Sequence, residues 1–185
     1  DFSYAWPPRV PTLPLHSNLA AYMLSPKPVD RIGKTLFSIK KDGLGLQIGC
    51  IFNTIATKED GYNFHVVERA TADELRMRYS DNPTALNNIH KIDFVWRNEL
   101  LSNLIARTHC YDWIIASHII ENVNDVIGFL RQCEELLAPD GIISFVISDT
   151  SKRFEYYRNL TNTDDLLEKF IEDRNNKLRD KRSEE

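Results

Sequence analysis

Leu44-Gly45-Leu46-Gln47-Ile48-Gly49 is the stretch on which the fold turns. It is a short apolar run that stops at a glycine. Such a run, without strict alternation of apolar and polar residues, reads as a strand buried on both faces, as in a parallel sheet. The same shape recurs downstream. Phe64-His65-Val66-Val67 ends at Glu68, Ile89-His90-Lys91-Ile92 ends at Asp93, Trp113-Ile114-Ile115-Ala116 ends at Ser117, and a fifth run covers Ile142–Ile147. Helical patterns lie between them. Thr71-Ala72-Asp73-Glu74 has the form of a capping box. Asn98–Arg107 places Leu100, Leu101, Leu104 and Ile105 on one face. Asn124–Ala138 carries a stripe of Val126, Ile127, Leu130, Cys133, Leu136 and Leu137, with Asn124 as cap and Asp125 at the positive end. Pro139-Asp140-Gly141 predicts a turn into the fifth strand. Strand and helix alternate, so the expected architecture is α/β: a Rossmann-like, doubly wound, mostly parallel sheet with flanking helices.

Outside this core the character of the chain changes. Residues 1–43 hold Pro7, Pro8, Pro11, Pro14, Pro26 and Pro28. Proline breaks helix interiors and cannot donate to a ladder, so the segment reads as an extended arm with one short helix near Asn18–Leu24. Residues 44–150 form the expected Rossmann-like domain. In 151–185, Thr163-Asp164-Asp165 can cap a helix carrying Leu166, Leu167, Phe170 and Ile171. The tail from Asp173 is charged and reads as a frayed helix or disorder. No sixth or seventh strand is legible after Ile147.

Composition bounds the function. The 185 residues suffice for one domain with a sizeable core, and 42% hydrophobic with 27% charged residues is ordinary for a globular protein. The net charge of -4 argues against a nucleic-acid backbone as the main partner, because phosphate binding favours a basic face. No apolar run approaches the ~18 residues of a membrane span. The first residues lack the charged-then-apolar order of a signal peptide, and there is no starting Met. Cys50, Cys110 and Cys133 form no CxxC pair, which predicts neither a disulfide framework nor a zinc site and fits a reducing cytoplasm.

In open parallel sheets, ligands bind beyond the carboxyl ends of the strands, where strand order reverses. Gly49 follows the first strand and lets backbone approach a ligand. Glu68 ends the second strand about 20 residues on, the place from which a carboxylate can accept two hydrogen bonds from a ribose diol. Asp93 ends the third run and could meet an adenine amino group. A dinucleotide site would need G-x-G-x-x-G in the first turn, and only Gly49 lies there. Plainer roles exist for each residue: Gly49 as a turn glycine, Glu68 beside Arg69 as a surface pair, Asp93 as a turn cap, Cys50 as packing, and His118 as a pocket wall or helix cap.

Three segments in order carry a resemblance. Leu46-Gln47-Ile48-Gly49 resembles an L-E-I-G motif, Ile115-Ala116-Ser117-His118-Ile119-Ile120-Glu121-Asn122-Val123 resembles A-S-H-V-I-E-H-V, and Leu137-Ala138-Pro139-Asp140-Gly141-Ile142-Ile143 resembles L-K-P-G-G-x-L. Residues 44–149 are thereby similar to class I S-adenosylmethionine-dependent methyltransferases. Lys58–Tyr62 and Asp93–Trp96 also resemble a bacterial subgroup, some of whose members are linked to surface-glycan pathways.

The resemblance implies S-adenosylmethionine as cofactor, bound by Gln47, Gly49, Cys50, Asn53, Glu68, Arg69, Asp93, Phe94 and Ser117. Gly49 would contact the methionine part, Glu68 the ribose, and Asp93 with Phe94 the adenine. Ser117 and His118 would line the methyl-transfer mouth, with His118 as the candidate proton acceptor. Gln47 departs from the family's acidic residue, Cys50 and Asn53 stand where glycine or proline is common, and Asn122 replaces a frequent histidine. The family's final antiparallel strands are missing from the reading, so the C-terminal part is expected to be either truncated or replaced.

Three functions follow. The first is methyl transfer to an oxygen or nitrogen of a small-molecule or glycan-like acceptor. The second is an inactive methyltransferase-like domain with a binding or assembly role. The third is a dinucleotide-dependent oxidoreductase, disfavoured by the absent glycine fingerprint.

Overall fold

The computed structural model describes residues 30–50, 55–89, 91–97, 99–149 and 162–183. Asn53 and the helix expected near Asn18–Leu24 lie outside these residues. The elements in chain order are α1 (Arg31–Leu36), β1 (Leu44–Ile48), β2 (Asn63–Glu68), α2 (Ala72–Arg78), α3 (Pro83–Asn88), β3 (Phe94–Val95), α4 (Leu101–Ile105), β4 (Tyr111–Ser117), α5 (Val126–Leu136), β5 (Leu137–Val146) and α6 (Thr163–Ser183). The strands form one five-stranded sheet in the order β3-β2-β1-β4-β5. Every described pairing is parallel. This is the Rossmann-like α/β architecture that the strand–helix alternation predicts.

Period-two alternation sends neighbouring residues of each strand to opposite faces, and both faces are covered. On one face, Leu46, Ile48, Val67, Ile114 and Ala116 pack with Leu101 and Ile105 of α4 and with Phe129, Cys133 and Leu136 of α5. On the other, Phe64, Trp113, Ile115 and Val146 pack with Cys50, Ile55, Ala56 and Tyr62, and Leu36 of α1 and Ile39 close over them. Burial on both sides explains why these runs carry so few polar residues. Trp113 is the bulkiest core side chain, flanked by Tyr62 and Phe64 with ring centroids 6.1 Å away in each case. A Cβ on Gly45 would fall on the Trp113 indole, so β1 requires glycine there.

Several local expectations are corrected. The third strand is Phe94–Val95, not Ile89–Ile92. Asn82 caps α3 and Ile89 closes it, burying its side chain beside Leu75 and Ala70. Of that apolar run, Ile89 is the C-cap of α3, and Lys91 and Ile92 lie outside any helix or strand. Asp125, not Asn124, caps α5, accepting from Gly128 N at 2.7 Å. The turn read at Pro139-Asp140-Gly141 lies inside β5. Tyr111 pairs with Leu137 but Trp113 with Ile142, so β5 bulges there, and Asp140 adopts φ 64°. Part of the segment read as an extended arm is α1, capped by Asp30, and Thr35 O accepts a hydrogen bond from Ser144 Oγ of β5 at 3.0 Å. Asn162, rather than Thr163, exchanges hydrogen bonds with Asp165 at the start of α6, both at 2.9 Å. That helix continues through the charged tail to Ser183 and meets α5 where Arg131 lies over Phe170. The capping box at Thr71 and Glu74 forms as expected. Among the described residues no helix is long and apolar enough to cross a membrane.

Candidate active site at the carboxyl edge of the sheet

Strand order reverses between β1 and β4, and registry fixes what emerges there. Ile48 lies opposite Val67 on one side and Ala116 on the other. Gly49, Glu68 and Ser117 therefore leave the sheet at one level, at the switch point where open sheets bind ligands.

Gly49 has φ 73°, a conformation that strains any side chain. Its N–H donates to Val67 O at 3.2 Å. A Cβ would come within 2.5 Å of Ile119 Cδ1 and 2.8 Å of Ser117 O. The glycine is thus demanded by the protein itself, because the β4 end closes against it.

Gln47 is likewise occupied. Its side chain is 1% exposed, and its amide donates to Ala56 O at 2.9 Å and accepts from Ala56 N at 3.4 Å. It ties the loop after β1 back to the strand, a structural task beside the cofactor-binding role expected of it. Cys50 is buried, with Sγ 3.7 Å from Ile48 O. Burial, reinforced by the negative charge of Glu68, pushes its thiol far above the usual range. Cys50 is thus packed in the core, close enough to Glu68 for that charge to act on it.

Glu68 ends β2 and is 7% exposed. Arg69, exposed beside it, lays its guanidinium 5.7 Å from the centroid of the Trp96 ring. Asp93 does not reach the edge. It precedes β3 at the level of Val66, whose N–H it binds at 2.9 Å, and it pairs with Lys91 at 3.0 Å. Phe94 stands opposite Val67 and packs edge-on against His65, centroids 5.6 Å apart. The residue beyond the end of β3 is Trp96. Its backbone N–H donates to the Glu68 carbonyl at 2.7 Å, its indole Nε1–H donates to Glu99 O at 2.9 Å, and its ring stacks on Phe129. The strand-end rule missed Trp96 because the third strand was placed too early. Asp93-Phe94-Val95-Trp96 carried the signal.

Ser117 is 2% exposed, and the chain then turns sharply at His118, which adopts φ 55°. His118 N–H donates to Val146 O at 2.9 Å, fastening the turn to β5. Its Nδ1 lies 2.9 Å from Ser148 Oγ and 3.3 Å from Glu121 Oε1, and Ser148 N–H donates to Glu121 Oε1 at 2.8 Å. Burial pushes the Glu121 carboxyl up. Hydrogen bonds from the Ser148 N–H, its own backbone, His118 and the Ser148 hydroxyl outweigh this and hold it below its usual range. Ser148 was not foreseen, although it directly follows the fifth apolar run, where the strand-end rule applies. Among the described residues no group of three or more His, Cys, Asp or Glu could hold a metal ion.

The residues at this edge fit a nucleoside better than a pyrophosphate. A buried carboxylate stands at the end of β2 for a diol, and an aromatic ring stands at the end of β3. No glycine-rich turn is present to admit phosphates.

No protein-family model and no curated protein matches the chain. Several solved structures resemble it. The CurJ carbon methyltransferase is 16% identical, with TM-score 0.43, over 62% of this chain and 32% of its own. A sarcosine dimethylglycine methyltransferase, titled putative, from Galdieria sulphuraria is 17% identical, with TM-score 0.41, over 57% and 40%. The glycopeptide N-methyltransferase MtfA, complexed with sinefungin, is 13% identical, with TM-score 0.43, over 64% and 54%. The chain thus spans between a third and just over half the length of these proteins.

Proposed function

We propose that the chain is an S-adenosylmethionine-binding domain of a methyltransferase, acting on an oxygen or nitrogen of a small-molecule or glycan-like acceptor. The observation that carries this reading is the meeting of Gly49, Glu68 and Ser117 at the sheet's switch point, with His118 immediately beyond. Glu68 would hold the ribose hydroxyls, with Trp96 beside the adenine. The backbone at Gly49 and Cys50 would face the methionine part. When bound, the cofactor supplies an already activated methyl group. The protein's own task is then to align the acceptor, exclude water and receive a proton.

Calorimetry with S-adenosylmethionine and S-adenosylhomocysteine tests the reading. Saturable binding is expected. Hydrogen bonds to a charged group contribute about 1.5–3 kcal/mol, so Glu68→Ala should weaken binding by about 10- to 150-fold while circular dichroism stays unchanged. No heat at millimolar ligand with folded wild-type protein would sink the proposal. Binding without turnover on any acceptor is the outcome that the inactive, assembly-type alternative gives.

A further inference from the structure

The carboxyl ends of β4 and β5 hold a closed ring of three polar side chains: His118, Glu121 and Ser148. An ionised carboxylate can only accept hydrogen bonds. Glu121 receives the Ser148 N–H, and the Ser148 hydroxyl and His118 also donate to it. With its hydrogen turned to Glu121, the Ser148 oxygen has lone pairs left for His118 Nδ1, 2.9 Å away. Both neighbours of Nδ1 are thus acceptors, which places the imidazole proton on Nδ1 and the lone pair on Nε2. Among the described residues none bonds Nε2. The His118 side chain is 40% exposed and that of Glu121 only 10%, so the ring presents an open imidazole backed by a covered carboxylate. Asn122 Nδ2 donates to His118 O at 2.8 Å and braces a backbone that a φ of 55° leaves strained. A non-glycine residue held in that region is strained, and such strain clusters where a side chain must be aimed.

We infer that His118 is the proton acceptor for the methyl acceptor, that Glu121 and Ser148 are its positioning residues, and that the acceptor group is a hydroxyl or an ammonium. This rests on the methyl-transfer reading. The acceptor atom forms a bond to the methyl carbon as the carbon–sulfur bond breaks, and that electron pair stays on sulfur. A hydroxyl passes its proton to Nε2 as it attacks, whereas an ammonium passes its proton to Nε2 beforehand, which frees the nitrogen lone pair that forms the new bond. The resulting imidazolium faces Glu121 until it loses the proton to water. An acceptor with no proton to lose, such as a thioether, would have no use for this ring.

The first test reads the ring without turnover. Protein labelled with nitrogen-15 at histidine is examined by long-range nitrogen–proton correlation at pH 8, with the His118 signals assigned through His118→Gln. The expected wild-type pattern is the Nδ1–H tautomer. Glu121→Gln, whose amide can donate to Nδ1, should move His118 towards Nε2–H. Ser148→Ala serves as the second variant if Glu121→Gln does not fold. A wild-type Nε2–H tautomer, or one indifferent to both variants, overturns the inference.

The same samples are titrated with S-adenosylhomocysteine, where affinity within twofold of wild type is expected, because these groups face the acceptor. Failure of the wild-type protein to bind would strike the methyl-transfer reading instead, separately from the tautomer. With methyl α-glucoside and glycine as model acceptors, His118→Gln should lower kcat by about 10²- to 10⁴-fold, the usual scale of general-base catalysis, with KM nearly unchanged.

Discussion

Replacing Gln47 with glutamate separates a structural role for this position from a cofactor-binding one. The wild-type amide spans the Ala56 peptide, donating to its carbonyl at 2.9 Å and accepting from its N–H. Both residues are covered, at 1% and 0% exposure. A carboxylate of the same shape keeps the N–H bond but sets an oxygen against the Ala56 carbonyl. A protonated carboxyl restores the donor. The folded protein therefore holds the proton, and the folded pKa of Gln47→Glu rises above its unfolded value of about 4.3. A carboxyl raised in this way leaves the fold intact below the unfolded value and costs stability as pH climbs towards the folded one. In that window the native state binds the extra proton, so stability falls by about 1.4 kcal/mol per pH unit. A three-unit rise, at the lower end for a fully buried group, gives a loss of about 4 kcal/mol by neutral pH. That is a large part of the 5–15 kcal/mol typical of a domain. Urea titrations of variant and wild type at pH 5, 6 and 7, read by tryptophan fluorescence, measure the gap between them. It should widen by about 1.4 kcal/mol at each step. A gap that does not change with pH, or a variant as stable as wild type at pH 7, would refute the reasoning. Tighter S-adenosylmethionine binding by an undisturbed Gln47→Glu would show that the position faces the cofactor.

Gly49→Ala should cost about 2–5 kcal/mol in chemical denaturation, combining about 1–2 kcal/mol for a left-handed backbone with about 1–3 kcal/mol for overpacking against Ile119 and the Ser117 carbonyl. A loss under 0.5 kcal/mol would mean that the β4 end does not close on the glycine. The thiols should separate by burial. Cys133 is pushed up to about 12 by burial, and burial with the Glu68 charge pushes Cys50 up as well. Iodoacetamide at pH 8 should therefore label Cys110 in the native protein, while Cys50 and Cys133 react only after urea is added. Rapid native labelling of Cys50, seen by peptide mass spectrometry, would contradict its packing beneath the switch point.

The strands that read clearly in sequence are those buried on both faces. Trp113–Ala116 is apolar throughout, and Leu44–Ile48 carries Gln47 as its one polar side chain, because helices or the loop after β1 cover each side. β3 is two residues long and, among the described residues, pairs with β2 alone, so it leaves no run to read, and the apolar residues that follow α3 stood in for it. The shift puts Trp96, rather than Asp93, just beyond the end of β3. The contact that Gln47 makes was hidden for another reason. Its partner is a peptide group nine residues away, reached only after the loop returns, and no local pattern encodes that contact. His118 and Glu121 lie three residues apart in one motif, but Ser148, which contacts both, comes from beyond the end of the neighbouring strand.

These contacts divide the carboxyl edge by function. At β1 the polar group answers the protein. Glutamine is the side chain of glutamate's shape that can both give and receive a hydrogen bond, and the Ala56 peptide asks for both. The missing acid of the first motif is thereby explained as a local fit between strand and loop, and it says little about whether a cofactor binds. At β4 and β5 the polar groups instead converge on one imidazole and leave its outer nitrogen uncommitted among the described residues. If the cofactor lies across this edge, its affinity should respond strongly to Glu68 and weakly to Gln47, while stability should respond in the opposite order. Changes at the two positions that moved both quantities alike would show that β1 and β2 act as a single unit, and the division would fail.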